Sequence, residues 1–389
     1  MSLIDLHSFE ITEERGFLCT YDADAVRLAG AWGEAREIAM ALPDIMPTGR
    51  VRELLVRDLP EPPAVAGLSD AEARTAMVHY SFMVQAYVWG EPEAPRALPR
   101  RLACPIVDLA DRIGQQPLLP YSGYVLDNWA RIDADGPIDL SNIRMIQNFL
   151  AGQDEAWFVL VHVAIEARAG AALAAIPRII AACERDDPDA ARSELEAMAG
   201  VWADMQAIFE RMPERCDPYI YFERVRPYIH GWANNPALGE GIVYEGVERF
   251  GGRPQAFRGQ TGSQSSIVPS MDALLQVGHA ADPLKAFLDE LHIYRPPAHR
   301  RFIDGVRARS TLRDLVKRVR DPALTDAYNA IVQAVADFRS WHLRYAAEYI
   351  NKQGARTAGN DTDVGTGGTP FMRYLKKHRD ETEARLIRH

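Results

Sequence analysis

F-R-S-W-H-L-R-Y-A-A-E-Y-I, Phe338 to Ile350, is the stretch that decides how this chain folds. Carried back to Ile331, it repeats apolar side chains every three or four residues. Ile331, Ala334, Val335, Phe338, His342, Tyr345 and Tyr349 therefore share one face of a helix. That face must be buried, and His342 goes inside with it. A buried imidazole needs partners for its ring nitrogens, because an unpaired polar group in the interior costs on the order of a few kcal/mol. A metal would serve, and so would a neighbouring carbonyl or carboxylate; the spacing alone leaves both open.

Working outward, helical periodicity recurs. Asp70 to Trp89 follows Ser69, a cap residue, and Ala190 to Arg211 follows the start signal Asp187-Pro188-Asp189. Met271 to Leu291 reads as a further helix. Glu155 to Ala182 is apolar on most sides, which places it at the centre of a large protein, and Pro177 should kink it or end its first half. Strand signals are few and do not alternate with helices, which argues against a doubly wound sheet. Proline-rich segments, Leu59 to Pro63, Pro92 to Arg101 and Gln116 to Pro120, punctuate the first third. The expected architecture is all-α: a smaller, loop-rich N-terminal domain, 1–147, and a large helical bundle domain, 148–389. Glycine-rich stretches, Gly251 to Ser266 and Gly354 to Thr369, interrupt the bundle.

Composition narrows the function. Among 389 residues 47% are hydrophobic and 25% charged, and the net charge is −10, the profile of an ordinary globular protein. Such a balance argues against a nucleic-acid surface or a polybasic membrane contact. No uninterrupted apolar run approaches the roughly 20 residues that span a bilayer. Cys19, Cys104, Cys183 and Cys216 are far apart, form no zinc or iron–sulfur spacing and suit a reducing cytosol. The acidic N-terminus lacks the apolar core of a secretory signal, so a cytoplasmic location is expected.

Other residues carry possible chemistry. His162, in A-W-F-V-L-V-H-V-A-I-E, has Phe158 one turn before it and Glu166 one turn after. It reads either as a core histidine bonded to Glu166 or as a base facing an apolar ligand cavity. Tyr221 and Phe222 precede Arg226 by about a turn, a grouping suited to an aromatic carboxylate or, more simply, to a core cluster beside a surface arginine. V-G-T-G-G-T-P, Val364 to Pro370, lacks the lysine of a phosphate loop and reads better as a mobile lid. His299 reads as the end of a loop; His79 and His230 have no partner at a useful spacing.

Taken together, nine stretches resemble the indoleamine 2,3-dioxygenase family of haem enzymes. They are Q-A-Y-V-W-G (Gln85–Gly90), L-P-R (Leu98–Arg100), V-L-D-N-W (Val125–Trp129), G-W-x-x-N-P (Gly231–Pro236), V-Y-E-G (Val243–Gly246), Q-S-S (Gln264–Ser266), R-P-P-A-H-R (Arg295–Arg300), R-S-W-H-L (Arg339–Leu343) and G-T-G-G-T (Gly365–Thr369). The resemblance implies haem b held between helices of the large domain, with His342 as the iron ligand and Arg339 and Asp272 near a propionate and the proximal side. It implies L-tryptophan or a related indole amino acid as substrate, with Arg226 on the carboxylate. Tyr121, Tyr124, Phe158, Tyr221, Phe222 and Gly262 would line the pocket, and Thr366 would lie on the closing loop. His162, Arg226 and Thr366 are the residues expected to act on the substrate. Dioxygen, an electron donor that keeps iron ferrous, and a monomer or small homo-oligomer complete the expectation.

Two departures matter. The animal enzymes carry a small hydroxyl residue at the position of His162, whereas the related tryptophan 2,3-dioxygenases place a histidine in their distal pocket. Tyr221 replaces a usual phenylalanine. Both add polarity to that pocket. The implied reaction is insertion of dioxygen across the indole C2–C3 bond to give N-formylkynurenine, the first step of the kynurenine route. Monooxygenation or ring rearrangement of tryptophan in secondary metabolism, and haem-based sensing without turnover, are the alternatives.

Overall fold

The computed structural model describes residues 4–62, 64–281, 283–354 and 371–388, and helices dominate it. In chain order the main ones are α1 (Gly30–Met40), α2 (Val51–Asp58), α3 (Asp70–Trp89), α4 (Arg100–Ile113), α5 (Gln153–Glu184), α6 (Pro188–Glu210), α7 (Ile267–Leu274), α8 (Pro283–His292), α9 (Pro297–Arg309), α10 (Leu312–Val319), α11 (Pro322–Ala346) and α12 (Phe371–Glu383). Extended chain is confined, among the described residues, to two small pairs. β1 (Ala97–Leu98) runs parallel to β4 (Val243–Tyr244), and β2 (Trp129–Arg131) runs antiparallel to β3 (Ile143–Met145). The all-α expectation holds.

Local signals start the helices where the sequence places them. Ser69 and Glu72 form a reciprocal capping box on α3, and Asp187 accepts from Ala190 N at the head of α6. Asp321 does the same for α11 through Leu324 N. Two expectations fail and a third is narrowed. Pro177 does not end its helix, because α5 runs on through it to Glu184. The proline costs roughly 3 kcal/mol locally, and the buried neighbours Leu173, Ile176, Ile179 and Ile180 hold the helix together regardless. Met271 to Leu291 is not one helix. It breaks after Leu274, where Gln276 adopts a left-handed backbone (φ 57°), and resumes at Pro283, a helix-starting residue. His299 does not end a loop; it lies buried in the first turn of α9, 4.5 Å from the ring of Phe17.

Two apolar cores meet at α5. One gathers α1, α3 and α4 with Ile229, Trp232 and Tyr244, and takes Val159, Leu160, Val163 and Ala167 from α5. The other gathers α6, α7, α9, α10 and α11, and takes Trp157, Val161, Ile165 and Leu173 from the same helix. That double burial is why α5 is apolar all round. It is also long and apolar enough to cross a membrane by composition, yet 83% of its most apolar window is buried within the fold. Gly170 lets the N-terminal segment lie directly on α5: a Cβ there would stand 2.2 Å from the Glu13 carbonyl oxygen. Along the second core α5 packs on α6, α6 on α11 and α11 on α12.

Candidate active site

Between α5, α6, α7 and α11 lies a cavity of about 640 Å³, within the range of small-molecule and cofactor pockets. His162 of α5 and His342 of α11 both line it, and the ring of Phe209 stands 6.5 Å from each. Burial holds the His342 imidazole down to about 4, with His162 contributing, and burial also lowers His162. Both rings are therefore neutral at pH 7. Among the described residues neither nitrogen of His342 has a hydrogen-bond partner, so of the two readings of this residue the carbonyl or carboxylate is absent.

The tautomer of His162 follows from its own helix. Its Nδ1 lies 2.7 Å from the carbonyl oxygen of Phe158, which has no hydrogen to give. Nδ1 must carry the proton, leaving Nε2 with a lone pair and no proton. The expected bond to Glu166 is not formed. Glu166 instead accepts from the Tyr121 hydroxyl (2.9 Å) and from Ser265 Oγ (2.8 Å), and burial raises its carboxyl to about 7. Gln264 Oε1 accepts from Tyr121 N at 2.9 Å. Tyr121 is thus tied at backbone and side chain to the loop that follows Gly262.

A second group of expected residues stands behind His162. Phe158 lies 4.7 Å from that ring and 4.8 Å from Tyr221; Tyr124 lies 6.4 Å from Phe158. The Tyr124 hydroxyl is buried with no hydrogen-bond partner among the described residues. Arg226 is 0% exposed, its guanidinium carbon 5.4 Å from the Phe222 ring, so it is no surface arginine. Tyr121, Gly262, Asp272 and Arg339 line the large cavity together with His162 and His342, whereas Tyr124, Phe158, Tyr221, Phe222 and Arg226 do not line it; Phe158 and Tyr221 pack behind His162. Three π-helical segments, Ser122–Leu126, Tyr221–Val225 and Ala347–Asn351, lie around this region; such wide turns recur at functional sites. Thr366 and Gly365–Thr369 fall outside the described residues.

The family model for indoleamine 2,3-dioxygenase covers residues 5–385. The chain belongs to the indoleamine 2,3-dioxygenase family. It is 32% identical to indoleamine 2,3-dioxygenase 1 of Rattus norvegicus, over 98% of this chain and 96% of the relative. It is 30% identical to indoleamine 2,3-dioxygenase 2 of Homo sapiens, over 97% and 95%. A myoglobin of Haliotis madaka is also similar, at 26% identity over 98% of this chain and 99% of the relative.

The lining of the cavity fits a haem group. Among the described residues no cluster of three or more His, Cys, Asp or Glu could hold a bare metal ion. One neutral, unpartnered imidazole is instead what a macrocycle supplying the other ligands requires. Gly262 stands close to His342: a Cβ there would lie 3.9 Å from His342 Cε1, an ordinary contact. Arg339, one turn before His342, pairs with Asp272 at 2.6 Å and also reaches Thr382 and the His378 carbonyl. Burial alone would raise the Asp272 carboxyl; Arg339 and His279 bring it below the usual range.

Several residues had no role in the reading of the sequence. Ser265 and Gln264 stand in the shared Q-S-S stretch and Arg295 opens R-P-P-A-H-R, so the motif was visible although its contacts were not. His279, bonded to Glu381 at 2.5 Å and lining the same cavity, is linked to that partner across 102 positions of chain that carry no local signal.

Proposed function

We propose that the protein is a cytosolic, haem-dependent dioxygenase that opens the indole ring of L-tryptophan to N-formylkynurenine. One observation carries the reading: His342, without a protein partner among the described residues, and His162, locked as a hydrogen-bond acceptor, line the same cavity. His342 would hold haem b, with Asp272 and Arg339 beside it. The cofactor supplies the activation of dioxygen, which a closed-shell indole cannot bring about unaided.

The remaining work falls to side chains. His162 Nε2 accepts the indole N–H and so fixes which edge of the ring faces the oxidant; it need not remove that proton. Phe158, Tyr221, Tyr124 and Tyr121 set the plane of the ring, a positioning effect. Arg226, under Phe222, takes the carboxylate, and Thr366 belongs to the segment that closes over the amino-acid part. Gly262 leaves space on the reacting side. A dry wall keeps reduced oxygen from escaping to water. An electron donor is needed to keep iron ferrous, and the division into units 1–147 and 148–389, with a monomeric or small oligomeric state, belongs to the same proposal.

A second reading has the Haliotis myoglobin behind it: oxygen binding without turnover. Anaerobic reduction of haem-loaded protein, addition of L-tryptophan and oxygen, and mass spectrometry of the product separate the possibilities. Gain of two oxygen atoms is the expected result. One atom or an isomer points to monooxygenation or rearrangement, and unchanged tryptophan beside bound oxygen points to the carrier.

A further inference from the structure

Arg295 lies at the turn between α8 and α9, 2% exposed, on the wall of the large cavity. Its guanidinium donates to two carbonyl oxygens of the loop after Gly262, Ser265 O at 3.2 Å and Ser263 O at 2.7 Å. Among the described residues no carboxylate pairs with it. Arg339 and Arg15, also buried, have Asp272 and Asp22 at 2.6 Å, and the part-buried Arg74 has Asp127 at 2.6 Å. Asp272, the acid that acts on Arg295 through space, is already engaged by Arg339. Arg307 adds further positive charge nearby.

Burial and Arg307 lower the Arg295 guanidinium to about 10, so it keeps its charge at pH 7. Carbonyl dipoles solvate part of that charge but do not cancel it. A buried cation without an anion is a strained arrangement, and natural interiors pair such groups. The open side of Arg295 is the cavity.

We propose that Arg295 binds a carboxylate of the molecule that fills this cavity, and that a haem propionate is that carboxylate. The inference rests on the haem reading above. The carboxylate of the amino-acid substrate offers the same chemistry, and the test distinguishes the two sources. Guanidinium–carboxylate pairs are short and charge-assisted, and removal of one from a dry site is felt strongly.

The test uses haem-loaded wild type, Arg295→Gln and Arg295→Lys. Glutamine keeps a donor for the loop carbonyls and loses the charge; lysine keeps the charge. Release of haem, and of haem dimethyl ester, into excess apomyoglobin is timed for each protein. Wild type should release the ester roughly tenfold faster than the free acid, as expected for one charge-assisted bond. Arg295→Gln should narrow that ratio and Arg295→Lys should largely restore it. In parallel, binding of L-tryptophan is compared with binding of tryptamine, which lacks the carboxylate. A loss confined to L-tryptophan in Arg295→Gln, with the haem ratio unchanged, assigns the carboxylate to the substrate and overturns the propionate assignment. A folded Arg295→Gln protein in which neither ratio moves makes Arg295 only a staple for the loop and overturns the proposal. A wild-type protein that takes up neither haem nor its ester refutes the haem reading itself, a distinct result.

Discussion

In the proposed mechanism His162 is the residue on which substrate recognition turns. Its Nδ1 is committed to Phe158 O at 2.7 Å, so the only lone pair it can offer is on Nε2. Replacement by alanine leaves the indole N–H without an acceptor, a loss of about 1–3 kcal/mol. His162→Ala is expected to lower kcat/KM for L-tryptophan roughly tenfold or more. Wild type should also reject 1-methyl-L-tryptophan, and the gap between the two substrates should narrow in the variant; an unchanged gap would place the N–H elsewhere. In the same proposal Arg226 acts at the other end of the substrate. Because it is fully buried, its pairing with a carboxylate is charge-assisted and dry, and Arg226→Ala is expected to raise KM by the equivalent of about 2–3 kcal/mol. Steady-state kinetics with L-tryptophan and tryptamine check this: tryptamine, without the carboxylate, should be little affected.

At the scale of elements, α5 does most to build the site, because it supplies His162 and Glu166 while belonging to both cores. Its close contact with the N-terminal segment depends on Gly170, where a Cβ would lie 2.2 Å from the Glu13 carbonyl oxygen. Gly170→Ala is expected to destabilise the protein by about 1–3 kcal/mol through overpacking, read as a lower midpoint in chemical unfolding; an unchanged midpoint would mean the segment shifts freely. The helices were legible because their signals are local: the Ser69–Glu72 box, the Asp187-Pro188 start, the apolar stripe through His342. The course of α5 through Pro177 was not legible, because long-range packing on both sides overrides a local penalty. The break after Leu274 was missed for the opposite reason, since the apolar period continues across a turn set by backbone conformation at Gln276. In the site, the candidates were legible residue by residue, but partners were not. Glu166 stands one turn from His162 and bonds instead to Tyr121 and Ser265, residues 45 and 99 positions away.

For the whole molecule, the buried ionisable groups fix how stability varies with pH in the haem-free protein. Burial lowers His79, His342 and His378 to about 4, His230 to about 3, and His299 well below its ordinary value. Each favours the fold above the unfolded histidine value of about 6.5, and that contribution is lost as pH falls toward the folded values. Glu155 and Glu166, raised by burial to about 7, and His279, raised by Asp272 and Glu381 against its burial, act in the other direction. Their contribution is lost as pH rises through the folded values. With His162 and His292, also lowered by burial, these imidazoles outnumber the other three groups, so urea unfolding of the haem-free protein should show a lower midpoint at pH 5 than at pH 7; a higher one would contradict the burial of those rings. Among the described residues His342 has no protein partner, and it lines the cavity beside His162. The most direct test is a haemin titration of wild type and His342→Ala, followed through the Soret band. Wild type should saturate at one haem per chain with the spectrum of a histidine-ligated iron, while His342→Ala should fail to bind or show an altered spectrum that free imidazole restores. Equal uptake with identical spectra in the two proteins would contradict the account.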